Sequence, residues 1–254
     1  MLSRIFNFIY PNYEVKMSST LTLKDFPKRT TNFLNKLSKN NNREWYLENK
    51  DIYNSDFLEP LIYFVEEMGN KLLSLDPEIT AIPRIDKSIF RLHRDVRFSK
   101  NKEPYKTNAG ILFWNSKAKK MESCGFYFHL EPKKIGVGVG TYIIPKHMLK
   151  TYRDAVADPV TGQELNRAVK KIEKNGLYKV LGKNYKRIPK GYDPDSPYAD
   201  YLLHSGMFGW YESKNIKELY DGNAVDIIYK IFKDMLPLHK WLAKYLLRSF
   251  NDSK

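Results

Sequence analysis

From Ser88 the apolar residues of this chain repeat every second position, after a long stretch in which they repeat every third or fourth. Four such runs follow one another: SIFRLHR (88–94), NAGILFWN (108–115), CGFYFHLE (124–131) and KIGVGVGTYI (134–143). All are rich in β-branched and aromatic residues, the composition of half-buried strands. Turn residues separate them at Lys117–Lys120 and Pro132–Lys134. The last three runs lie too close together for crossover helices between them, so the spacing predicts an antiparallel meander.

Helical patterns flank this block. Thr30 or Thr31 is expected to cap a short helix carrying Phe33, Leu34 and Leu37, and Asn42 a second with Trp45, Tyr46, Ile52 and Tyr53 at helical spacing. Asp56 with Glu59 reads as the cap of a longer helix, with Phe57, Leu61, Phe64, Val65, Met68 and Leu72 on one face. Asp76-Pro77 is expected to end it. Beyond the strands, Pro145 suits the first position of a helix over His147–Val156. Thr161 with Glu164 reads as a capping-box candidate for another, expected to end at Asn175-Gly176. MFGWYES (207–213) reads as an edge strand. Two helices are expected to close the chain, the second starting at Pro237. The class predicted is α+β: a single domain over residues 30–250, a mainly antiparallel sheet flanked by helices. Residues 1–29 read as a poorly ordered N-terminal extension, and Met17 could serve as an alternative start.

Composition limits what such a domain can do. The 254 residues are 42% hydrophobic, enough for a substantial core, and no run of about 18 apolar residues offers a membrane span. Forty-three Lys and Arg against 29 Asp and Glu give a formal charge of +14, which favours anionic partners. Cys124 is the single cysteine. Intramolecular disulfides and paired-cysteine metal sites are therefore excluded, and a buried inert thiol is the expected role. These features fit a cytoplasmic protein. The nearly acid-free N-terminus, leading into a Ser/Thr-rich patch, leaves nuclear or organellar placement open.

Side-chain parity locates a site. Successive residues of a strand face opposite sides. If Phe90 and Leu92, then Phe126, Phe128 and Leu130, then Ile135, Val137 and Val139 all face the core, the other side presents Arg91, His93, Tyr127, His129 and Glu131. Beside them Gly136, Gly138 and Gly140 form a strip free of side chains, where a ligand or a packed helix could approach. His129 and Glu131 share a face. This arrangement suits a carboxylate-oriented base, a structural pair, or two ligands of a metal with His93 as a third. No nucleotide-binding loop is present: the glycines lie within a strand, with no Lys-Ser/Thr pair behind them. No cofactor is implied.

The basic run is sharper. Between Arg84 and Lys106 lie eight Lys and Arg against Asp86, Asp95 and Glu103, with Phe98 and Tyr105 interleaved. Arginine forks match phosphate oxygens, and lysines add point charge. Alternatively Asp95 pairs with a neighbouring Arg and the remaining cations are solvated.

FRLHRDVRFSKNKEPYKTN (90–108) followed by GFYFHLEP (125–132) resembles an uncharacterised family of conserved hypothetical proteins, domain of unknown function 2461. NNREWYLENK (41–50), LKTYRDAV (149–156) and RIPKGYDPDSPYADYL (187–202) fit the same pattern. The resemblance spans roughly residues 32–241. It implies one α+β domain and carries no activity with it.

Two classes of function, with anionic partners, therefore stand before a structure is consulted, beside a third. One is an enzyme on an anionic or phosphorylated small molecule: His129, Glu131 and His93 would be catalytic, while Arg91, Arg94, Arg97, Lys100, Lys106 and Tyr127 would hold the anion. Another is a nucleic-acid-binding module whose basic strip contacts phosphates while Tyr105, Trp114 and Tyr127 stack on bases. The third is a non-catalytic interaction or scaffold protein, in which the same motifs serve structure.

Overall fold

The computed structural model describes residues 26–220 and 223–247. Most of the expected N-terminal extension therefore lies outside the described residues. The meander forms as its spacing predicts. β2 (Ala109–Asn115), β3 (Gly125–Glu131) and β4 (Lys134–Thr141) are consecutive antiparallel strands. β1 (Ile79–Thr80) pairs with the far edge of β2. β5 (Lys179–Lys183) and β6 (His204–Ser213) complete an antiparallel sheet in the order β1-β2-β3-β4-β6-β5. MFGWYES is thus an interior strand, not an edge. The edge is β5, KVLGK, whose two lysines face water, as suits a strand with an unpaired side.

One face of the sheet builds the core. Phe126, Phe128, Val137 and Val139 are fully buried there. The helical layer over them includes α1 (Lys28–Lys39), α3 (Glu59–Leu72) and α6 (Ala224–Tyr245). Phe64 meets Phe128 at 5.1 Å between ring centroids, and Phe232 meets Phe126 edge-on at 5.2 Å. α4 (Lys146–Ala157) and α5 (Pro159–Glu173) stack beside α6, where Tyr152 and Trp241 meet edge-on at 6.0 Å.

Several expected helix ends differ. α1 starts at Lys28, and Thr30 and Thr31 are buried in its first turn, with the Thr30 hydroxyl donating to the Asp56 carbonyl. Asn42 caps α2 (Arg43–Glu48) as predicted, accepting from the Trp45 amide. Asp56 caps nothing. It sits inside a π-helical segment, Tyr53–Leu58, that leads into α3, and Arg29 holds its carboxylate by two hydrogen bonds of 2.6 and 3.0 Å. Asp158 displaces Thr161 as the cap of α5, accepting from the amides of Val160 and Thr161. The two C-terminal helices are one. Pro237 lies inside α6, and burial of Met235, Leu238, Trp241 and Leu242 around it outweighs the roughly 3 kcal/mol that an internal proline costs.

The first of the four strand expectations fails, with consequences for the site. SIFRLHR touches β2 only briefly, through Phe90 N to the Gly110 carbonyl and Leu112 N to the Ser88 carbonyl. It then leaves β2 and bonds to the returning chain instead, Lys106 N to Leu92 O and Arg94 N to Pro104 O, both at 2.8 Å. Strand parity does not carry through that change of partner. Leu92 is buried, but Phe90 lies on the other side of the sheet, edge-on to Tyr127 at 6.2 Å.

Candidate functional site

β3 projects Tyr127, His129 and Glu131 from the face opposite the core, because Phe126, Phe128 and Leu130 take the alternate positions inside. The three outward residues form a chain. The Tyr127 hydroxyl lies 3.0 Å from His129 Nδ1, and His129 Nε2 lies 2.9 Å from Glu131 Oε1. Across the hairpin, Lys134 comes within 3.5 Å of Glu131 and 3.3 Å of Glu212. Both ring nitrogens are thereby occupied. With Glu131 ionised, Nε2 carries the proton it donates to the carboxylate, so Nδ1 accepts from the tyrosine. The free end of the chain is the Tyr127 hydroxyl, not the imidazole. Burial, with the nearby Tyr142 and Glu131 charges adding to it, pushes that hydroxyl's pKa up to about 12.

A side chain of the sheet itself covers Gly136 and Gly138. Trp210 on β6 lies over it, with ring carbons where a Cβ on Gly136 would have to be and others 3.2–3.3 Å from a Cβ on Gly138. Its indole is nearly parallel to the Tyr127 ring, at 6.4 Å and 22°. Two glycines thus provide the space for one tryptophan.

Two lysines stand over Phe90. Lys120 Nζ is 4.2 Å from the ring centroid and Lys106 Nζ is 5.8 Å away. Lys120 also donates to the Lys87 carbonyl, and neither lysine forms an ion pair among the described residues. Burial lowers both pKa values. The Arg91 charge lowers Lys106 further, Lys87 and Lys106 do the same to Lys120, and Asp86 opposes the shift in each. These are desolvated cations beside other cations. Lys120 reads in the sequence only as a turn residue between β2 and β3; that turn position, which folds it back over the sheet, is the only signal that points to it.

The rest of the basic run is dispersed. Arg97 makes a bidentate pair with Asp95 at 2.9 and 2.7 Å, in water. Arg94 braces its own loop, donating to the Glu103 carbonyl at 3.1 Å. Lys100 is exposed on the same loop. Arg91 is exposed, between His93 and Lys106 in its charge effects. His93 does not join His129: its ring meets Tyr105 and Tyr46 edge-on at 5.0 and 5.6 Å, and burial, then Lys50 and Arg91, lower its pKa. Among the described residues no group of three or more His, Cys, Asp or Glu could hold a metal ion, so His93 completes no metal site with His129 and Glu131.

A second His–carboxylate pair, not anticipated from sequence, lies in the core. His239 Nε2 is 2.7 Å from Asp76 Oδ2, which also accepts from Asn115 Nδ2 at 2.8 Å. Burial alone would lower the His239 pKa, but Cys124 and Asp76 beside it push it up to about 9. Burial alone would raise Asp76, and its bonds to His239, Asn115 and the Glu78 amide hold it at about 2. His239 and Asp76 are thus a buried ion pair, and Cys124 is wholly enclosed.

No helix among the described residues is long and apolar enough to cross a membrane. A family model described as conserved hypothetical protein, domain of unknown function 2461, matches residues 29–241. No curated protein matches the chain.

Proposed function

The chain belongs to the conserved hypothetical protein family domain of unknown function 2461, and we propose that it binds a phosphorylated small molecule over Phe90 and acts on it through the Tyr127 hydroxyl. The observation that carries this reading is the pair Lys106 and Lys120, both partly buried, both lowered in pKa and neither in an ion pair among the described residues. Holding two uncompensated ammonium groups over one ring costs stability, and a phosphate between them would offset that cost. Arg91 adds positive potential at the rim.

The chemistry follows from the occupied imidazole. His129 has no nitrogen free for a substrate, so any proton passes through Tyr127. A free phenolate is disfavoured at a pKa of about 12. The two transfers are therefore coupled: the substrate's proton goes to the tyrosine oxygen as the tyrosine's own proton goes to Nδ1. The imidazolium that results is held by Glu131, and the reverse sequence makes the same chain an acid. His129 and Glu131 position and poise Tyr127; they are not expected to touch substrate.

Calorimetric titration with pyrophosphate tests the binding half. K106A/K120A should weaken it at least about ten-fold, and an unchanged affinity would sink the proposal. Against a panel of phosphorylated metabolites, Y127F should retain binding and lose turnover.

One observation favours a nucleic-acid platform as the second reading. Tyr127, Trp210, Phe208 and Tyr142 form a row of rings on this sheet face, Phe208 edge-on to Trp210 at 6.5 Å and 5.5 Å from Tyr142, which is 70% exposed. Such rows stack on bases in single strands. If oligo(dT) binds with a steep salt dependence and F208A and Y142A weaken it, this reading replaces the first.

A further inference from the structure

On the other side of the sheet, α5 and α6 enclose a groove of about 590 Å³. Arg167 and Lys171 form one wall, Lys233, Lys240 and Lys244 the other, and Ala168, Leu236, Pro237 and Trp241 lie between. Glu164 is its one acid, already engaged by the Tyr245 hydroxyl at 2.7 Å and by Lys244 at 3.4 Å. Lys171, Lys233 and Lys240 have no hydrogen bond or ion pair among the described residues. Trp241 is fixed in the floor by its indole N–H, which donates to the Thr161 carbonyl at 2.8 Å.

We infer that this groove docks an acidic segment of a partner protein that presents apolar side chains to the floor. The layout of the cations decides against a compact anion. Lys233, Lys240 and Lys244 are seven and then four residues apart on one helix. At 1.5 Å per residue they extend over about 16 Å. A single phosphate group would meet one or two of them, whereas about ten helical residues with acids along both edges would meet the whole row. The floor decides against a bare phosphate backbone, which would cover Leu236, Pro237 and Trp241 without gaining from them. Cationic walls over an apolar base complement an amphipathic acidic segment in both respects. The proposal is independent of the Lys106–Lys120 site, which lies across the sheet.

The test uses the full chain and a fluorescein-labelled peptide of about 12 residues, with leucines on one helical face and glutamates flanking them. Anisotropy is read at about 0.15 M ionic strength. K171E/K240E should weaken binding at least about ten-fold. K214E/K217E, which changes the net charge equally at exposed positions outside the groove, should change it less than about two-fold, as should K106A/K120A. Circular dichroism confirms that each variant folds. The inference is overturned if the peptide fails to bind, if both charge-reversed variants weaken it equally, or if a glutamine-for-glutamate peptide binds as well. It is also overturned if oligo(dT) or phosphatidylserine vesicles bind more tightly than the peptide and K171E/K240E abolishes that binding.

Discussion

The indole of Trp210 occupies the space that a side chain on Gly136 would fill, one strand away on β4. A ring anchored on a strand has little freedom to yield, so G136A should destabilise the protein by about 1–3 kcal/mol. W210A should remove most of that penalty. Urea denaturation of the two single variants and the double variant gives the coupling directly. Additive effects would mean that the glycine is there for another reason.

The Tyr127–His129–Glu131 chain predicts unequal costs for its members. H129A leaves a largely buried hydroxyl and a carboxylate without their shared partner and should cost about 1–2 kcal/mol. E131Q keeps a polar atom within reach of Nε2 and should cost less than about 1 kcal/mol. Equal losses in the two variants would contradict the geometry.

Lys106 and Lys120 give a pH dependence opposite to that of a stabilising ion pair. Their folded pKa values lie below the usual 10.5, so the unfolded chain binds more protons in that range. Stability contributed at these positions should rise as pH climbs through the lowered values towards 10.5. Pyrophosphate affinity should fall over the same interval as the ammonium charge is lost. Affinity that stays level up to pH 10.5 would remove the lysines from the site.

The buried His239–Asp76 pair has the reverse sign. A histidine raised from 6.5 to about 9 adds stability that is complete below pH 6.5 and lost as pH rises through about 9. Asp76, lowered from 3.8 to about 2, adds stability above pH 3.8 that is lost as pH falls towards about 2. D76N should cost about 3–5 kcal/mol at pH 7 by breaking the buried pair, and it should shrink the alkaline loss by removing the Asp76 share of the raised His239 pKa. Thermal denaturation from pH 5 to pH 10 in both proteins measures this.

Much of the fold was legible because it depends on neighbours in sequence. The two-residue period of residues 108–143 specified three strands, their antiparallel order and the inward faces of β3 and β4. It also set Tyr127, His129 and Glu131 on a common outward face. The Asn42 cap and the apolar face of α3 were equally local. Where a residue's partner lay elsewhere in the chain, the local pattern misled. Asp56 resembles a cap but holds Arg29, and Phe90 has strand parity but follows a backbone that leaves β2 after two bonds. Pro237 resembles a helix start, yet the packing around it sustains one continuous helix.

From its sequence alone, then, this chain determined an antiparallel meander with one polar face, an excess of positive charge, and a histidine beside a carboxylate. Only the tertiary structure decided what that face contains. It laid Trp210 across the glycines, folded Lys120 back over Phe90, sent His93 to other partners, and joined His239 to Asp76 across 163 residues. Periodicity and capping are written in contiguous residues, whereas who fills a given space depends on which distant strand or helix is brought alongside, and that follows from the packing of the whole core.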